Sequence, residues 1–257
     1  MKTIAPLLLS FITALSVRAA IHTETVDYKV GDTTFEGYLA FDDAVKGPRP
    51  GVLVVHQWMG VTDYEQNRCV MLAKLGYVAF AADIYGKGFR PKNYSEAGTL
   101  ATKYKTDRAL LRDRVNAGLA ALREQPNVDP KHIAAIGYCF GGTTVLELAR
   151  SGADIAGVVS FHGGLDSPTP SDGINIKCKV LVCHGADDPF EAPKDLEAFE
   201  SEMRNAGVDW QLIQYGGAVH AFTQPSMDGS LKGAKYNERA DKRSWADMQQ
   251  FFGEIFK

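Results

Sequence analysis

A cysteine stands inside the run Gly137-Tyr138-Cys139-Phe140-Gly141-Gly142, after the apolar stretch Ile133–Ile136 and before a helical pattern that starts at Thr143. A nucleophile placed on a strained strand-to-helix turn is an arrangement for acyl transfer. The glycines suit that turn, because a β-carbon on them would keep backbone and helix from packing so close to it. The sulfur would meet the positive end of the helix dipole, which favours thiolate. The N–H of Phe140 would be presented to an oxyanion. On its own, the hexapeptide also fits a buried cysteine beside a Gly-rich packing turn.

Two further residue types complete the chemistry. The apolar stretch Lys179–His184 leads into Gly185-Ala186-Asp187-Asp188-Pro189, which places an acid after a late strand. Asp188 is preferred because it stands three residues after Gly185 and just before Pro189-Phe190. Asp187 is the alternative, and either could be a solvated turn carboxylate. Farther on, Gly216-Gly217-Ala218-Val219-His220-Ala221-Phe222 sets a histidine on what reads as a flexible loop. Nucleophile, acid and base in the order Cys139, Asp188, His220 is the order of the α/β-hydrolases. A second oxyanion donor is expected from His56-Gln57-Trp58-Met59-Gly60, with the N–H of Trp58 chosen. Among the other histidines, His22, His132 and His184 read as structural and His56 as a brace for its loop. His162, at the end of a strand, is a pocket candidate.

These residues require an alternation of strands and helices. Glu24–Val30 and Thr33–Phe41 flank Gly31-Asp32 as a hairpin. Gly51–His56 and Tyr77–Ala82 are continuous apolar runs, as in parallel strands buried on both faces. Ile133–Gly137, Ile155–Phe161, Lys179–His184 and Asp209–Tyr215 supply the other strands. Helical spacing marks Thr62–Leu75, Asp107–Glu124, Gly141–Arg150, Leu196–Ala206 and Tyr236–Phe256. Tyr85–Thr106 is the longest irregular stretch and is a candidate for part of a cap. The pattern predicts a mostly parallel central sheet with helices on both faces, an N-terminal hairpin and no large lid, in one domain over residues 20–257.

Composition excludes several classes. The 257 residues are 45% hydrophobic and 23% charged, which is neither disordered nor fibrous, and the net charge of −3 comes with no basic run to bind nucleic acid. No phosphate-loop or zinc-type spacing is present, so neither metal nor organic cofactor is expected. Lys2, the apolar run Ile4–Leu15 and Val17-Arg18-Ala19 have the layout of a signal peptide over residues 1–19. The expectation is therefore export to the periplasm or medium with cleavage near Ala19, and a mature form without a membrane span, monomeric or weakly self-associating. Cys178 and Cys183, about 16 Å apart along one strand, are beyond disulfide reach, so all four cysteines are expected to be free thiols.

The hexapeptide, Asp188, and His220 with Phe222, together with Gly51–Gly60 and Ala81-Ala82-Asp83-Ile84-Tyr85, resemble the dienelactone hydrolase family over roughly residues 25–256. The resemblance implies an α/β-hydrolase fold, with Cys139, Asp188 and His220 as nucleophile, acid and base, and an acyl-thiol intermediate formed from an ester, lactone or thioester. Gln57, Tyr85, His162, Phe222 and Gln224 are the expected pocket residues. Three departures stand out. The family's founding members hold a glutamate where this chain has Gln57, and an arginine four residues after the histidine where it has Gln224. Their second arginine has no clear counterpart between Tyr94 and Thr106. The substrate is accordingly expected to lack a carboxylate, unless Lys87, Arg90 or Lys103 supplies a cation. The rival readings are an idle hydrolase scaffold that binds ligands, and a peptidase or depolymerase on the same fold.

Overall fold

The computed structural model describes residues 20–257, so the expected signal segment lies outside the described residues. Gly31, at φ +54°, turns the chain between β1 (Ile21–Val30) and β2 (Thr33–Asp42), which pair antiparallel from Ile21↔Asp42 to Val30↔Thr33. Apolar runs then build β3 (Arg49–Val55), β4 (Val78–Ala82), β5 (Val128–Tyr138), β6 (Gly157–Phe161), β7 (Lys179–Gly185) and β8 (Trp210–Tyr215). The sheet order is β1-β2-β4-β3-β5-β6-β7-β8. Strands β3 to β8 are parallel, and the hairpin joins antiparallel through β2 and β4.

Each parallel strand feeds two cores because alternate side chains face opposite sides. Leu53 and Val55 of β3 enter one core, and Val52 and Val54 enter the other. Helices α1 (Asp63–Lys74) and α6 (Glu238–Ile255) cover the second core with Cys69, Leu72, Met248 and Phe252. The first lies under α2 (Tyr94–Thr106), α3 (Arg108–Arg123), α4 (Phe140–Arg150) and α5 (Pro193–Ala206). The four cysteines are free, and Cys69, Cys178 and Cys183 are buried.

The second half of the stretch read as irregular is helix α2. Its buried residues Ala97, Ala101 and Tyr104 do keep helical spacing, but alanine beside Gly98 and several threonines carries little hydrophobic contrast. Asn93 caps it by accepting from Glu96 N–H at 3.0 Å.

Chain order reverses at β3, which pairs with β4 on one side and β5 on the other. The chain leaves β3 for α1 on one face and β5 for α4 on the other, and the crevice between such diverging loops is the usual place for a ligand in an open parallel sheet. Among the described residues, no helix is long and apolar enough to cross a membrane.

Candidate active site

The turn after β5 is sharp because glycine permits it. A β-carbon on Gly137 would lie 2.0 Å from Gly141 O, and one on Gly141 would lie 2.1 Å from Val55 O. Cys139 itself sits at φ 54°, ψ −115° before the first turn of α4, a left-handed conformation that costs a non-glycine residue on the order of 1–3 kcal/mol. The Cys139 N–H donates to Phe161 O at 3.0 Å, which ties the turn to the end of β6.

Three side chains from separate carboxyl ends meet here. Nε2 of His220 is 3.1 Å from Cys139 Sγ, and Nδ1 is 2.8 Å from Oδ2 of the buried Asp188. The neighbouring Asp187 is exposed and accepts instead from Gly217 N–H at 3.0 Å. Of the two acids, Asp188 is the one within hydrogen-bond distance of His220. The histidine loop, read as flexible from sequence, is hydrogen-bonded on both sides of His220 to a distant segment. His220 N–H donates to Gly233 O at 3.1 Å, and His220 O accepts from Lys235 N–H at 3.0 Å. This partner segment is more than ten residues away and leaves no local trace in sequence.

Burial alone would raise the Cys139 thiol, but the charge and hydrogen bond of His220 outweigh it and hold the thiol below its ordinary value. Burial likewise works against the His220 cation, yet Cys139 and Asp188 together raise it to about 10. Each charge therefore favours the other, a thiolate beside an imidazolium.

Trp58 and Phe140 both line the cavity beside Cys139. Phe140 opens α4, so its N–H has no partner within the helix. The Trp58 loop is clamped at both ends by Glu65, which accepts from Gln57 N–H at 3.2 Å and from Thr62 N–H at 2.8 Å. His56 braces it from beneath. Ile84 N–H donates to its Nε2 at 3.1 Å, and burial lowers its pKa to about 4, so the ring is neutral.

With this geometry in place, comparison with known proteins is direct. A sequence model of the dienelactone hydrolase family matches residues 35–256. The chain belongs to that family. It is a hydrolase of the carboxylic ester and lactone class. A Synechocystis sp. protein given the provisional name carboxymethylenebutenolidase is 29% identical, covering 84% of this chain and 90% of its own. Protein usf of Aquifex pyrophilus is 30% identical, over 77% of this chain and 86% of its own. The solved structure named m3DLH superposes with a TM-score of 0.90 at 40% identity, covering 93% of this chain and all of its own. The dienelactone hydrolase-like promiscuous phosphotriesterase P91, from metagenomic libraries, gives 0.88 at 40% identity, covering 92% of this chain and 99% of its own.

Both glutamines noted in the sequence stand at the cavity wall. The cavity is about 410 Å³, and Gln57, Gln224, Phe190 and Met227 are among its lining residues. Three expected pocket residues are not. Tyr85 is buried against His56, Tyr104 and Phe140, and its hydroxyl donates to Trp58 O at 2.9 Å. His162, at φ 40°, is fully buried with its ring edge-on to His220, its Nε2 2.8 Å from Thr223 Oγ1. Phe222 is fully buried behind it. All three are rings that support residues of the wall without forming it. A shallower groove of about 670 Å³, between Thr62–Met71 and Gln224–Ser226, includes none of the three relay residues.

The cation on the wall is Lys105 of α2, and none of the three basic residues singled out from the sequence reaches it. Lys87 pairs with Asp27 at 2.5 Å, Arg90 with Asp83 at 3.4 Å, and Lys103 lies over the Tyr104 ring. Glu191, also missed, lines the cavity, and burial raises it to about 7. Both escaped notice because only the fold of α2 and of the loop after β7 turns them inward.

Proposed function

We propose that the chain hydrolyses an ester or lactone through a Cys139–His220–Asp188 triad and an acyl-thiol intermediate. The observation that supports this most directly is the 3.1 Å and 2.8 Å relay from Sγ through His220 to Asp188 on a strained turn. The Cys139 thiolate adds to the carbonyl carbon, and the N–H groups of Phe140 and Trp58 stabilise the oxyanion. As the tetrahedral species collapses, the bond to the leaving oxygen breaks and His220 Nε2 gives that oxygen its proton. The neutral imidazole then takes a proton from water, and the hydroxide so formed attacks the thioester. The carbon–sulfur bond breaks, which returns thiolate and imidazolium. Asp188 holds the Nδ1–H tautomer throughout. His162, kept neutral by burial, packs on His220 without adding a second positive charge.

A short p-nitrophenyl ester tests the reading. A burst of nitrophenol is expected, and it is lost after alkylation of Cys139. A binding scaffold would give no burst, and an alkylation-resistant burst would place the nucleophile elsewhere.

The pH dependence follows from the ion pair. Iodoacetamide alkylation of Cys139 is expected to titrate with a midpoint below the ordinary thiol value of 9.0. In His220→Ala the midpoint rises above that of the wild type, because burial then acts on the thiol without its cation. For a lactone, whose departing alkoxide needs a proton, kcat/KM is expected to fall above about pH 10 as His220 is neutralised. An alkylation midpoint unchanged in His220→Ala would show that the histidine does not activate the thiol.

A further inference from the structure

One part of the cavity wall takes no part in the relay. It is formed by Thr143 on α4, Gly164 after β6 and Glu191 after β7, with Lys105 nearby. A β-carbon on Gly164 would lie 3.0 Å from Thr143 Oγ1, 3.1 Å from Asp166 Oδ1 and 3.2 Å from Glu191 Oε1. Three oxygens from separate segments therefore converge on a place that only the missing side chain keeps open. The other oxygen of each carboxylate is occupied. Glu191 Oε2 accepts from Leu165 N–H at 3.1 Å, and Asp166 Oδ2 from Arg108 at 2.6 Å.

Acidic oxygens alone would not define a site, but Thr143 adds an independent sign of one. The residue is 1% exposed, and its Oγ1 has no hydrogen-bond partner among the described residues. Its neighbour Thr144 behaves as helical threonines ordinarily do and donates back to Phe140 O at 2.8 Å. A buried hydroxyl without a partner is destabilising; Thr143 is a lining residue of the cavity, and its Oγ1 borders the place left open at Gly164.

We propose that this cup reads a hydroxyl group, so that the preferred substrates are esters or lactones bearing a hydroxyl near the reacting carbonyl. A hydroxyl both donates and accepts. It donates to Glu191 Oε1 and accepts from Thr143 Oγ1 or Lys105 Nζ. A carboxylate in this place would face two acidic side chains. An ammonium would face Lys105, whose Nζ already lies 3.9 Å from Asp166 Oδ1.

The inference rests on Cys139 acting at the same cavity, and the test keeps the two apart. kcat/KM is measured for γ-butyrolactone and its 2-hydroxy and 3-hydroxy derivatives, each divided by its rate of alkaline hydrolysis. At least one hydroxylated lactone is expected to exceed the parent tenfold or more. Thr143→Val, which removes the hydroxyl but keeps the shape, and Gly164→Ala, which fills the cup, are each expected to lower that ratio at least fivefold. Thermal melts establish that both variants are folded. A wild-type ratio near one, or a ratio unmoved by the folded variants, overturns the inference while lactone hydrolysis that depends on Cys139 still stands. Hydrolysis that survives in Cys139→Ala overturns the catalytic reading and this inference with it, and no hydrolysis of any of the three lactones overturns the inference alone.

Discussion

Cys139→Ala is expected to lower kcat for a p-nitrophenyl ester by a factor on the order of 10⁶, the scale of loss when one member of a hydrolytic triad acts as a unit with the others. The fold should remain. The substitution keeps the β-carbon at the strained φ of 54°, removes a single sulfur at a partly exposed turn, and leaves the Cys139 N–H bond to Phe161 O in place. Circular dichroism and a melting temperature within a degree or two of the wild type would establish that. Retained activity above a few per cent, in protein free of contaminating esterase, would make the thiol a bystander.

Arg150→Met is expected to have the largest effect on stability. Arg150 is fully buried on α4. Its Nε and Nη2 donate to the two oxygens of Glu202 at 2.9 and 2.7 Å, and Nη1 donates to Glu147 at 2.9 Å. Glu147 is also held by Arg112 at 2.8 Å, whereas Glu202 would be left buried with no cation. Removing one partner from such a network costs about 3–5 kcal/mol. At about 2–4 °C per kcal/mol for a domain of this size, the melting temperature should fall by roughly 6–20 °C. Replacing Glu202 by leucine in the same chain should recover much of the loss, because the stranded charge is then gone. A cost under about 1 kcal/mol in urea unfolding would mean that water reaches Glu202 easily. Arg150 also donates to Leu165 O at 3.3 Å, so the network reaches the segment that carries Gly164.

Much of this enzyme is local in origin. The continuous apolar runs, the Gly31-Asp32 turn and the glycines around Cys139 specify strands, hairpin and elbow through backbone sterics and burial, which act over a few residues. They are legible for that reason. The meeting of Cys139, Asp188 and His220 is legible because each residue lies just after a strand, and parallel strands deliver their exit loops to one edge of the sheet. Helix α2 is hidden in the sequence because alanines pack as well as leucines where the backbone comes close but leave a weak periodic signal. Asp187 and Asp188 differ by one position, and only the tertiary structure shows that one is buried against His220 while the other is exposed. Tyr85, His162 and Phe222 read as pocket residues because they end strands or flank the histidine. In the fold they turn inward, since large rings gain more from packing beneath a site than from lining it. Thr143, Gly164, Glu191 and Lys105 lie on four segments with no shared pattern. Their convergence depends on crossings between helices and loops distant in the chain, where contact is set by packing of the whole core and not by spacing along it.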